Sequence, residues 1–294
     1  MSNGVTRFGT TGIFTAIIMG ILTVLLYRLC IKRNWVIKMP EAVPEGVSRG
    51  FSALIPGFVI AFVVIFIDGI FIFLGTDIFE AISIPFSFVR NLTGTWIGIM
   101  IIYLLTQALW IVGIHGANII FAFVNPIALA NMAENAKGAH YIVAGEWSNM
   151  FVIAGGSGAT LGLCIWLATR SKSEQLNAIG KASVVPAIFN INEPLIFGIP
   201  IIYNPALAIP FILAPMTSAT LYYLAMKLDL IKAVFANVPW PTPVGIGAFI
   251  GTGDWKSVIL ALICAVAAFL VYYPFIRNYD RKLVKEEREA SAIA

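Results

Sequence analysis

Residues 189–200 read F-N-I-N-E-P-L-I-F-G-I-P. Glu193 follows two asparagines, Asn190 and Asn192, and precedes Pro194, in a stretch that is otherwise apolar. An ionisable side chain at membrane depth costs about 2.5–3.5 kcal/mol on insertion, so one that is kept marks a substrate or ion site. Pro186, Pro194 and Pro200 each remove a backbone donor and oppose a continuous helix. Broken backbone is tolerated within a bilayer only where protein buries it or where it lines a polar cavity. The stretch therefore predicts a polar pocket built on interrupted helices.

The flanking sequence supplies the membrane. Of 294 residues, 59% are hydrophobic and only 12% are charged. A soluble domain carries about 25% charged residues, so the chain reads as an all-α, multi-pass integral membrane protein. Its net charge of +4 comes from basic residues in three clusters: Arg28 to Lys38, Arg170 to Lys181, and Arg277 onward. Short basic loops follow the positive-inside rule and are assigned to the cytoplasm. No aromatic–basic platform accompanies them, so nucleic acid is not an expected partner. Cys30, Cys164 and Cys264 lie in or beside apolar runs without metal-ligand or CxxC spacing. They read as small core residues, and neither a metal nor a cofactor is expected.

Apolar runs predict six spans, at 11–29, 57–74, 93–110, 150–169, 201–226 and 257–276. Residues 39–56 read as an interfacial amphipathic helix. Residues 111–130 and 182–200 are interrupted by Gly, Asn and Pro and read as re-entrant hairpins. Residues 131–149 are polar and read as aqueous. The run G-G-S-G-A-T-L-G at 155–162 lacks the lysine of a phosphate loop and reads as a site of close helix packing.

Besides Glu193, the candidate site residues are His115, Trp110 and Trp240. His115 sits between Gly113 and Gly116, with Asn118 nearby. A carboxylate acceptor beside an imidazole suits a polyhydroxylated solute. Trp110 and Trp240 flank the two broken segments. An indole ring packs on the C–H face of a sugar while donating one N–H; the competing reading is an interfacial aromatic belt.

These segments resemble the enzyme IIC permeases of the phosphoenolpyruvate-dependent sugar phosphotransferase system, in the lactose/cellobiose/diacetylchitobiose branch. The resemblance rests on M-P-E-A-V-P-E-G-V (39–47), G-I-H-G (113–116), N-P-I-A-L-A-N-M-A-E-N (125–135) and G-G-S-G-A-T-L-G, and on the opening stretch itself. It extends through N-P-A-L-A-I-P-F-I-L-A-P (204–215), V-P-W-P-T-P (238–243) and Y-Y-P-F (272–275), in family order.

The resemblance implies a translocator of a β-linked disaccharide such as cellobiose or diacetylchitobiose. Residues 1–90 would be the remainder of an N-terminal scaffold domain, and 91–294 a sugar-binding transport domain that moves as a rigid body. A separate enzyme IIB, charged by enzyme IIA, would donate a phosphoryl group from its cysteine to the sugar 6-hydroxyl. On matching positions, His115 and Glu193 would lie near that hydroxyl, with Glu193 orienting it or taking its proton. Asn192, Trp240 and Trp110 would complete the pocket, and Gly9 and Thr10 match a sugar-contacting turn. The family also implies a homodimer in the bacterial plasma membrane. Its members carry roughly three more spans upstream, so the chain is expected to be a fragment, a split gene product or a truncated form. Two alternatives remain at this point: a cation-coupled secondary transporter with Glu193 and His115 as a proton relay, and a remnant that does not transport.

Overall fold

The computed structural model describes residues 13–40, 43–79, 81, 93–199, 201 and 203–293, and among these it is helical with no strand. The chain forms two compact units, Met1–Arg90 and Asn91–Ala294.

In the first unit, α1 (Ile13–Lys32) and α3 (Leu54–Phe73) are 20 residues each. That is about 30 Å, the thickness of a bilayer core. Both are mainly apolar around their circumference, and Phe73 is 90% exposed, as suits a lipid-facing helix. Between them α2 (Glu45–Ser52) is short, amphipathic and without a buried residue. Val47 and Phe51 lie on one face, and Arg49 pairs with Glu45 on the other. Asp68, inside α3, accepts the backbone N–H of Ile78 at 3.3 Å.

The second unit holds α4 (Trp96–Ile111), α5 (Gly116–Asn135), α6 (Leu161–Arg170), α7 (Glu174–Ile188), α8 (Glu193–Gly198), α9 (Pro205–Lys227), α10 (Ile246–Thr252) and α11 (Trp255–Ile293). Thr95 caps α4 by accepting from Gly98 N–H, and Asn204 caps α9 by accepting from Ala206 N–H. Helix α9 packs against α11 and α4, while α6 and α7 form a hairpin. Gly116 allows the tight α4–α5 corner, because a Cβ there would lie 2.0 Å from the Thr106 carbonyl oxygen.

Two apolar clusters fill this unit, one around Trp147, Phe151 and Tyr222, the other around Leu163, Phe211 and Tyr272. Three fully buried tyrosines place their hydroxyls on acceptors at 2.7 Å: Tyr103 on Ser148 Oγ, Tyr222 on the Ile142 carbonyl and Tyr272 on the Gly158 carbonyl. Each buried O–H is satisfied, which burial requires.

Among the described residues five helices are long and apolar enough to cross a membrane, and four of them fall on predicted spans. The fifth is α5, a continuous 20-residue helix where a re-entrant hairpin is expected, while α4, at 16 residues, is a shorter apolar helix than the span expected at 93–110. The sixth expected span, at 150–169, is not one helix. There a single π-helical turn (Ser148–Val152) is followed by a non-helical segment and then the ten-residue α6. Gly155, Gly156 and Gly158 take φ of +85°, +94° and +86°, which no helix accommodates. The glycine run is thus a loop rather than a helix-packing stripe; only Gly162 lies in a helix, against Phe269. Helix α5 continues through Pro126 to Asn135, so 131–149 is partly buried structure. Asn135 there donates to the Tyr141 and Val234 carbonyls at 3.0 Å.

Candidate functional site

A cavity of about 370 Å³ opens in the second unit where the broken segments meet. Its walls come from the α4–α5 corner, the π turn, the glycine loop, the α7–α8 break and the proline-rich 238–243 loop.

His115 is the N-cap of α5, and its Nδ1 accepts the Asn118 backbone N–H at 3.2 Å. A ring nitrogen that accepts from an amide carries no proton, so the neutral ring keeps its proton on Nε2. That leaves Nε2–H as a donor. The ring lies 4.3 Å, centroid to centroid, from that of Trp110. Trp110 is buried, and among the described residues its Nε1–H finds no acceptor; the two amide atoms of Gln107, one turn earlier, find no hydrogen-bond partner there either. Trp110 therefore lines the cavity with its indole N–H buried.

The α7–α8 break is held by asparagines. Asn190 takes φ +62°, a left-handed conformation that asparagine tolerates better than most residues. Its Oδ1 accepts Gly155 N–H at 3.0 Å, and its Nδ2 donates to the Trp240 carbonyl at 2.9 Å and that of Thr242 at 3.3 Å. One buried side chain thus ties the break to both neighbouring loops. Asn192 spends both amide protons, on the Ser157 carbonyl at 2.6 Å and Thr160 Oγ1 at 2.9 Å. Only its Oδ1 is left for a ligand. Gly156 packs on this amide so closely that a Cβ would lie 2.6 Å from Asn192 Cγ.

Glu193 opens α8, with Pro194 next in the first turn, and lines the cavity. Among the described residues nothing donates to its carboxylate or pairs with it. Trp240, half exposed between Pro239 and Pro241, faces the same space.

The cavity thus collects Glu193, His115, Asn192, Trp110 and Trp240. Gly9 and Thr10 lie outside the described residues, as does Pro200. The structure adds Glu146 and Asn149, which the sequence reading left in an aqueous segment. Asn149 Nδ2 donates to Glu146 Oε2, and both line the cavity beside Ser148. Their signal in the sequence is the polar E-W-S-N of 146–149, five apolar residues ahead of the glycine run. The π turn carries Asn149, and Glu146 sits in the turn just before it; such a π distortion is common at functional sites. No group of three or more metal-ligating side chains occurs among the described residues.

Neutral amides, two carboxylates, one imidazole N–H and two indole rings make a site for a polar, hydroxyl-bearing solute inside a multi-pass protein of the cell membrane. The chain belongs to the EIIC family of the phosphotransferase system, whose model matches residues 4–215. It is 35% identical to a lactose-specific EIICB component from Streptococcus mutans, over 97% of this chain and 51% of that protein. It is 36% identical to one from Staphylococcus aureus, over 95% of this chain and 50% of that protein. The chain spans about half the length of these curated relatives. The crystal structure of the transporter ChbC, the IIC component from the N,N'-diacetylchitobiose-specific phosphotransferase system, matches with a TM-score of 0.90 at 35% identity. That match covers 96% of this chain and 68% of the ChbC chain.

Proposed function

We propose that this chain is the membrane-spanning permease subunit of a sugar phosphotransferase system. It binds a β-linked disaccharide in the cavity and presents the 6-hydroxyl to a separate enzyme IIB. The observation that carries this reading is the Glu193 carboxylate, which lines a polar cavity on broken helices with no partner of its own among the described residues. Phosphoryl transfer needs mainly a positioned hydroxyl, with a base as help. In the proposed step the S–P bond of the IIB phosphocysteine breaks and a new O–P bond forms at the sugar. The hydroxyl proton passes to Glu193. His115 Nε2–H and Asn192 Oδ1 hold neighbouring hydroxyls, and the Trp110 and Trp240 rings cover the apolar sugar faces. Residues 91–294 act as the transport domain and 1–90 as part of the scaffold.

Cellobiose, diacetylchitobiose and lactose are the candidate sugars, the last two supported by the relatives' specificities. Uptake into vesicles with purified IIB and its phosphoryl donors tests the reaction. Phosphorylated sugar inside supports the proposal. Free sugar accumulating with a proton gradient, and without IIB, would favour the cation-coupled alternative, for which Glu146, Glu193 and His115 around one cavity are suitable groups.

A further inference from the structure

A second hollow lies away from the polar cavity. It is an open groove of about 360 Å³ between α6 and α11, lined by residues that include Leu161, Ile165, Ala265 and Phe269. Its lining is apolar almost throughout. The two helices run parallel: Gly162 meets Phe269, the rings of Trp166 and Tyr273 lie 6.4 Å apart, and Ser171 Oγ donates to Asp280. The groove's lining on α11 runs from Leu262 to Phe269, seven helical rises or about 10 Å. That fits within one leaflet, half of the ~30 Å hydrocarbon core.

The end of the groove is aromatic and then cationic. Trp166 and Tyr273 stand there with rings nearly perpendicular, and these two residue types are enriched at membrane–water interfaces. Arg277 lies one turn further along α11, its guanidinium carbon 6.0 Å from the Tyr273 ring centroid. Arg170 closes α6, next to the groove residue Thr169. Both arginines are exposed, and neither pairs with a described carboxylate. The nearby carboxylates are engaged: Asp280 and Glu287 accept from the 171–175 turn. The basic residues at this end also mark it as cytoplasmic.

We propose that this groove seats an acyl chain of an anionic phospholipid whose headgroup is held by Arg170 and Arg277. The apolar channel takes a segment of the chain, and two cations with no carboxylate partner among the described residues, beyond its aromatic end, select the charge.

Native mass spectrometry of the full chain, supplied with phosphatidylglycerol or phosphatidylcholine of identical acyl composition, tests this. The wild type should retain phosphatidylglycerol over phosphatidylcholine by roughly ten- to thirtyfold, the expectation for two arginines near a headgroup. The double variant Arg170→Gln, Arg277→Gln should lose that preference while still holding lipid. Ala265→Trp, which fills the groove, should lose both lipids. Equal retention of the two lipids by the wild type would overturn the proposal, as would retention unchanged by Ala265→Trp. A lipid-free dimer that Ala265→Trp disrupts would overturn it too, by giving the groove to a second copy.

Discussion

Asn190 and Glu193, three residues apart, do opposite kinds of work. Asn190 is buried with its amide fully used; Glu193 is accessible with its carboxylate unpaired among the described residues. Asn190→Ala should therefore destabilise the protein by about 2–4 kcal/mol, because it strands the Gly155 N–H and two carbonyls. Thermal unfolding in detergent reads that loss; an unchanged midpoint would contradict it. Glu193→Gln should leave the midpoint in place and weaken sugar binding by roughly ten- to a hundredfold, the range for losing a charge-assisted hydrogen bond. Gly156→Ala should do both kinds of damage. Its φ of +94° and the 2.6 Å approach to Asn192 leave no room for a methyl group. Glu193, Asn192, His115 and the two tryptophans are legible in the sequence because polar or bulky groups at interruptions of apolar runs stand out. Glu146 and Asn149 are not, since they sit in a stretch already polar, where two more polar residues carry no contrast. Asn190 reads only as a flank; its role depends on contacts to residues 35 to 52 positions away.

The broken elements behave as periodicity suggests in one case and against it in another. Prolines and asparagines at 186–194 do end α7 and restart the chain as α8. The 150–169 run looks like a span because its hydropathy is high, but three positive-φ glycines turn half of it into loop. A window average does not register that backbone requirement. Helix α11 shows the converse: its 39 residues continue well past the apolar run. The extension caps the α6–α7 turn, with Asp280 accepting from Ser171 Oγ at 2.6 Å and from Lys172 and Ser173 N–H at 3.0 Å. Asp280→Ala should cost about 2–4 kcal/mol, since a buried acceptor of several donors is lost at once. It should also loosen the α6–α7 hairpin, read as faster amide hydrogen exchange at 171–176 than at the ends of α9. Exchange raised equally throughout the second unit would argue against a local clamp.

Across the whole chain, composition and the positive-inside pattern are sufficient for the membrane class, and the helical fold and family match agree with it. The division at residue 90 separates a unit of lipid-facing helices from the unit that holds the polar cavity. The identity of the sugar is not written in any linear motif, because it depends on the shape of a cavity assembled from segments far apart in the chain. The most direct measurement is equilibrium binding of radiolabelled cellobiose, diacetylchitobiose and lactose to the purified chain, wild type beside Glu193→Gln. Saturable binding of at least one disaccharide, lost or strongly weakened in a Glu193→Gln protein with an unchanged melting midpoint, is the expected result. Binding of equal strength in both proteins, or none by a folded wild type, would contradict the assignment of this cavity as the sugar site.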